Sequence, residues 1–202
     1  MQSLDLFGTL AFAVTGAFKA IQHKSDIVGI IILSTITGVA GGVIRDVIFG
    51  KFPPTVVTNP LYIIVTFSTA IVIFFLYPLL KGHWNLFLKF DAVGLGVFTV
   101  IGTTFAYNTF GLNFLAMSFG GVLTAIGGGV LRDLLVNEIP IVLIKEFYAS
   151  ASFAGVLILF FMLSLNINLT LSAIPTIIVV TSIRLIAIKF NWNLPRARRT
   201  PF

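Results

Sequence analysis

Residues 38–46 read Gly38-Val39-Ala40-Gly41-Gly42-Val43-Ile44-Arg45-Asp46, and residues 127–133 read Gly127-Gly128-Gly129-Val130-Leu131-Arg132-Asp133. Each stretch belongs to an apolar run long enough to cross a bilayer, which takes about 20 residues. Each ends in an arginine and an aspartate, side chains that inside a membrane normally face a bundle interior or a cavity. Thr37, Gly41, Gly42, Val43, Arg45, Asp46 and Pro53 match Thr124, Gly128, Gly129, Val130, Arg132, Asp133 and Pro140 at an offset of 87. Further upstream, Asp5, Gly8, Phe12, Gly16 and Ala20 match Asp91, Gly94, Phe98, Gly102 and Ala106 at an offset of 86. So many coincident glycines, prolines and charges mark an internal duplication.

The composition agrees with a membrane setting. Of the 202 residues 57% are hydrophobic and 10% charged, against about 45–50% and about 25% for soluble domains. Mean hydropathy is +1.06. A soluble chain with so few charges would expose apolar patches far above the usual few hundred Å². A soluble enzyme, a nucleic-acid binder and a disordered chain are therefore excluded. The absence of cysteine removes disulfides, thiolate metal sites and thiol catalysis. A net charge of +6 reads, in such a protein, as orientation and contact with anionic lipid heads.

Spanning stretches are read at residues 4–22, 27–50, 60–80, 91–108, 112–136, 141–164 and 170–189. They are continuous rather than alternating, which argues for helices and against a β-barrel. The first lacks a basic region before its apolar core and contains Asp5, so it does not read as a cleaved signal. The expected fold is thus an all-α integral membrane protein of seven transmembrane helices. Its units are 4–80, 91–164, a seventh helix at 170–189 and a basic tail at 190–202. Each repeat holds three spans, an odd number, so the second copy enters from the opposite side, giving a 3+3 inverted repeat plus one helix. With seven spans, only Arg45 and Lys51 fall on the N-terminal side. The other eleven cations, among them Lys19, Lys24, Lys81, Lys89, Arg132, Lys145, Arg184, Lys189, Arg196, Arg198 and Arg199, fall opposite. The positive-inside rule then sets a multi-pass protein of the cell membrane with its N-terminus outside and its C-terminus cytoplasmic, Trp84 and Trp192 at the cytoplasmic interface.

The glycines lie near mid-span. Each lowers helical stability by about 1 kcal/mol relative to alanine. Gly38, Gly41, Gly42, Gly127, Gly128 and Gly129 are therefore candidates for a bend or unwound turn, with Thr37 and Thr124 as possible hydroxyl ligands. Interrupted helices at matching positions of two halves point to a substrate or ion site. The competing reading is close helix packing through small residues, with the threonines bonded to their own backbone. Arg45, Asp46, Arg132 and Asp133, one turn on, would pair across the repeat or stand at the mouths of a pathway. Neighbouring residues point about 100° apart, so pairing within one motif is not required. Asp5 and Asp91 read as helix-start residues favoured by the dipole, and Lys145-Glu146 as charges near the start of the sixth span. His23 and His83 read as solvated loop residues without a third metal ligand, and Asn168-Leu169-Thr170 as a weak glycosylation sequon. Phosphate-binding loops and nucleophile elbows are absent from the sequence.

At these residues the chain resembles the trimeric intracellular cation (TRIC) channels, in particular their prokaryotic branch. The resemblance rests on Gly41–Asp46 and Gly127–Asp133 within the repeated three-span units and covers about residues 4–190. It implies a homotrimer in membrane lipid, each protomer with its own pore passing K⁺ and, less selectively, Na⁺. The second and fifth spans would bend at Gly41, Gly42, Gly128 and Gly129 to line it, with Arg45, Asp46, Arg132 and Asp133 near its mouths. It implies no cofactor, no catalysis, no nucleic acid and no metal beyond the permeating ions. The fourth span opens with Asp91 and lacks the lysine-rich helix of animal members, so their phosphoinositide regulation is not carried over. The same prokaryotic family has also been described as transporting glycine, which makes a secondary carrier of a small amino acid the alternative.

Overall fold

The structure, a computed structural model, describes residues 1–80, 84–144 and 147–192. Lys81, His83, Lys145, Glu146 and the tail arginines Arg196, Arg198 and Arg199 lie outside the described residues, as does the side chain of Trp84. Every regular element among the described residues is helical: α1 (Gln2–Gln22), α2 (Ile27–Ile48), α3 (Thr55–Thr58), α4 (Leu61–Leu80), α5 (Trp84–Phe110), α6 (Phe114–Leu135), α7 (Ile141–Ile144), α8 (Ala149–Ser164) and α9 (Leu169–Phe190). Six of them, α1, α2, α4, α5, α6 and α9, are long and apolar enough to cross a membrane.

Local chemistry sets several of the boundaries. Asp26 caps α2 by accepting from the Gly29 N–H at 2.8 Å, and Asn113 caps α6 by accepting from the Ala116 N–H at 3.0 Å. Asn168 accepts from the Thr170 N–H at 2.8 Å, so the sequon-like triplet is the N-cap of α9. Two expectations change. The stretch 141–164 is not one helix: Phe147, at φ 57°, stands between α7 and α8. The 16-residue α8 extends only about 24 Å. The fourth span begins at Trp84 rather than near residue 91, so Asp91 sits two turns inside α5 instead of at a helix start.

Two helices form the centre. The apolar windows of α1 and α5 are 67% and 72% buried, whereas those of α4 and α9 are 22% and 33% buried, so the latter form the outer faces. With lipid tails as apolar as the side chains, such helices associate through close packing. Glycines mark the crossings. A Cβ on Gly8 would lie 2.8 Å from Val97 and 3.4 Å from Phe98, and one on Gly94 would lie 2.3 Å from Phe12. The Phe12 and Phe98 rings meet at 5.2 Å. Likewise a Cβ on Gly16 would lie 2.6 Å from the Leu33 carbonyl oxygen, and one on Gly102 would lie 2.1 Å from that of Gly120.

Candidate functional site

Helices α2 and α6 cross at their glycine stretches. A Cβ on Gly41 would stand 2.2 Å from the Thr124 carbonyl oxygen, and one on Gly128 would stand 2.4 Å from that of Thr37. The contact partners rise along one helix as they fall along the other, so the pair is antiparallel. Their C-terminal ends, carrying Arg45-Asp46 and Arg132-Asp133, therefore lie at opposite ends of the bundle. Both helices keep helical form through every glycine, so the unwound turn expected as one outcome is not formed in this conformation. Gly127 faces Ile44 and Gly41, and Gly38 faces Thr66 and the Thr9 carbonyl. Thr37 and Thr124 donate to the carbonyls four residues back, Leu33 and Gly120, each at 2.6 Å. Gly42 differs, since a Cβ there would meet only Arg45 Nη2, at 3.8 Å.

At the first cluster, Arg45 donates to Asp46 Oδ1 through Nε at 3.0 Å and Nη2 at 2.7 Å. The pairing is within the motif, because the long arginine side chain folds back across the 100° between neighbours. Asp46 Oδ2 accepts from the Thr55 N–H at 2.7 Å and its hydroxyl at 2.6 Å, tying α3 to the end of α2. Tyr62 donates to Asp5 Oδ2 at 2.9 Å, and the same oxygen lies 4.0 Å from Arg45 Nη1. Phe105 lies under the guanidinium at 4.7 Å. Asp5, Arg45, Thr55 and Tyr62 separate two spaces. Outside them is an open cavity of about 380 Å³ that reaches Lys51 and Asn59. Inside, against Thr9, Gly38, Gly42 and Phe98, is a space of about 10 Å³, room for about one water.

The second cluster repeats the pattern in a closed form. Arg132 donates through Nε to Asp133 Oδ1 and through Nη1 to Asp91 Oδ1 and Thr15 Oγ1, each at 2.9 Å. Asp133 Oδ2 accepts from the Ile141 N–H at 2.9 Å, tying α7 to the end of α6. Phe87 lies under the guanidinium at 4.8 Å, and Arg184 lies over Tyr148 at 4.6 Å. The side chains of Arg132 and Asp91 are 0% exposed, whereas Asp5 is 14% exposed. Asp91 Oδ2, Arg132 Nη2 and the Tyr148 hydroxyl are buried with no hydrogen-bond partner among the described residues. A Cβ on Gly129 would stand 3.1 Å from that hydroxyl and 3.6 Å from Arg132 Nη2. This is the place that Gly42 and the inner space hold in the first cluster.

Each cluster thus sets a fixed guanidinium between two aspartates, with a further cation close by, Lys51 at the first and Arg184 at the second. In the sequence the Arg-Asp pairs stand out, whereas Asp5 and Asp91 read as helix-start residues. No motif in the sequence marks Tyr62, Thr55, Tyr148 or Thr15. One signal was available: Tyr62 and Tyr148 are separated by the same 86 positions as the rest of the duplication.

Comparisons with known proteins bear on the family and the fold. The family model described as Glycine transporter matches residues 2–78 and again 88–164. The UPF0126 inner membrane protein YadS of Escherichia coli strain K12 is 34% identical over 195 residues, 95% of this chain and 93% of its own. The UPF0126 membrane protein YvgT of Bacillus subtilis strain 168 is 32% identical over 194 residues, 95% of this chain and 94% of its own. Among solved structures, one reported for conductance through TRIC cation channels superposes with TM-score 0.91 at 32% identity, covering 100% and 99% of the two chains. The TRIC trimeric intracellular cation channel orthologue from Rhodobacter sphaeroides superposes with TM-score 0.89 at 33% identity, covering 94% and 97%. With six helices long enough to cross a membrane, the chain is a multi-pass membrane protein.

Proposed function

The chain belongs to the TRIC cation channel family, and on that premise we propose that it is a channel for K⁺ and Na⁺ with a pore inside each protomer of a homotrimer. One observation carries the reading. Two clusters of one arginine and two aspartates lie at opposite ends of the antiparallel α2–α6 pair, and the first opens through Asp5 and Tyr62 onto a water-sized space beside Gly38 and Gly42. Carboxylate and hydroxyl oxygens of Asp5, Thr9, Thr55 and Tyr62 around that space are acceptors that suit a monovalent cation better than an anion. Arg45, Asp46, Arg132 and Asp133 stand at its ends. Helices α2 and α6 line it, and widening would bend them at Gly41, Gly42, Gly127, Gly128 and Gly129, where helical form is weakest by about 1 kcal/mol per glycine. Thr37 and Thr124 flank the crossing.

Seven spans in a 3+3 inverted repeat belong to the same proposal, with units 4–80 and 91–164, a seventh helix at 170–189 and a cytoplasmic tail at 190–202. The double match of one family model and the reciprocal glycine contacts of α1 with α5 and α2 with α6 support it. The apolar outer faces of α4 and α9 would meet lipid or sister protomers. The charge asymmetry supports an external N-terminus: a reporter active only in the cytoplasm should work at Phe202 and fail at Met1.

Purified protein in a planar bilayer tests the channel. Unitary K⁺ currents that persist without any amino acid are expected. Their absence, together with uptake of labelled glycine into proteoliposomes, would favour the second reading, a carrier of a small amino acid, which the description of the family model suggests.

A further inference from the structure

The two clusters differ most just beyond their arginines. Position 51 and its counterpart at an offset of 87, position 138, carry opposite charges, Lys51 and Glu138. Lys51 donates to Thr55 at 2.8 Å, beside the open cavity. Glu138 instead receives two partners from α1 and its cap. Its Oε2 accepts from Lys19 Nζ at 2.5 Å, and its Oε1 lies 3.1 Å from His23 Nε2. The Lys19 side chain is only 4% exposed. Lys19 Nζ and the Arg132 guanidinium both stack on the Phe87 ring, at 5.8 and 4.8 Å from its centre, so the pair is joined to the second cluster through that ring.

Both ring nitrogens of His23 face an acceptor oxygen. Nδ1 lies 2.9 Å from the Lys19 carbonyl oxygen. A carbonyl only accepts, so Nδ1 carries a hydrogen. In the neutral ring Nε2 would then present a lone pair to the Glu138 carboxylate. The contact at 3.1 Å is a hydrogen bond only when both nitrogens are protonated. The other charged or titratable residues of the described elements on this side are Lys24 and Asp26 in the α1–α2 turn, Tyr77 on α4, Lys89 on α5, the Asp91, Arg132 and Asp133 cluster, and Arg184 and Lys189 on α9.

We propose that Lys19, His23 and Glu138 form a proton-strengthened latch that holds the second mouth closed. The inference rests on reading the protein as a channel and adds how one end of its path is regulated. Because the closed form binds the imidazolium better, acid on the side we assign to the cytoplasm favours closure. The pair is partly exposed, with Glu138 at 40% and His23 at 35%, so the expected effect is about threefold.

The cysteine-free chain allows a test that does not depend on current. Thr15→Cys puts a thiol against Arg132, behind the latch. Its labelling rate by a membrane-impermeant thiosulfonate, added on the His23 side, is compared with that of Thr15→Cys/His23→Gln at the same pH, which cancels thiol ionisation. At about pH 5.5 the histidine variant should label about threefold faster, and at about pH 8 equally fast. Thr15→Cys/Glu138→Gln should label faster at both. Equal rates throughout, or no labelling even without Glu138, would overturn the latch. In bilayers, open probability should fall about threefold between about pH 8 and about pH 5.5, and the fall should vanish with His23→Gln. If no current flows at all, the channel reading falls, while the labelling ratios still decide the latch.

Discussion

The first and second clusters are built from the same residues to opposite effect. In both, an arginine pairs with the aspartate beside it, that aspartate ties down the start of a four-residue helix, and a further aspartate comes from a central helix. At the first, Asp5 is partly exposed and its neighbours open onto a cavity of about 380 Å³. At the second, Asp91 and Arg132 are sealed and Glu138 is held by Lys19 and His23. A motif copied within one chain thus fixes the charge arrangement but not its access to water. Access depends on which residues surround it: Lys51 and Phe105 at one end, Glu138 and Lys19 at the other.

Removing the central aspartate gives the largest contrast. Asp91→Asn leaves the fully buried Arg132 with less compensation and should cost about 3–5 kcal/mol, read from unfolding midpoints in detergent. Asp5→Asn, at the wetter cluster, should cost about 1 kcal/mol. Equal losses would mean that the two sites are equally dry. The glycines offer the next contrast. Gly41→Ala drives a methyl into the Thr124 carbonyl and should lower stability by about 1–3 kcal/mol. Gly42→Ala meets only the end of Arg45, so it should leave stability within about 0.5 kcal/mol while lowering single-channel current by narrowing the inner space. A stability loss at Gly42 with current unchanged would make it another packing glycine. The smallest effect belongs to Lys51→Gln. It should change stability by less than about 0.5 kcal/mol and raise cation current at low salt, because a positive charge leaves the open cavity. An insensitive current would detach that cavity from the pathway.

Much of the molecule is legible in the sequence. Continuous apolar runs gave membrane helices, and the offsets of 86 and 87 identified the residues that recur at the two clusters. Other features escaped because they depend on partners far apart in the chain. Asp91 looks like a helix-start residue only if the fourth span begins near it, and Trp84 begins the helix instead. His23 reads as a solvated loop residue and is exposed, but only the fold brings Glu138 to it, from the loop after α6 and across 115 positions. The glycines were readable as small residues, but whether each meets a backbone or a cavity is a matter of helix rotation, which sequence spacing does not fix.

By itself, then, the sequence determined the environment and the inventory: a lipid-facing chain of helices with two Arg-Asp motifs, because hydropathy, length and charge act residue by residue along the chain. Only the tertiary structure decided that Gly41 and Gly128 are contact points while Gly42 borders open space. It alone decided that Asp91 is sealed while Asp5 stays partly exposed. Those differences arise where helices distant in sequence meet, and they turn on ångström-scale distances between atoms that no local pattern encodes.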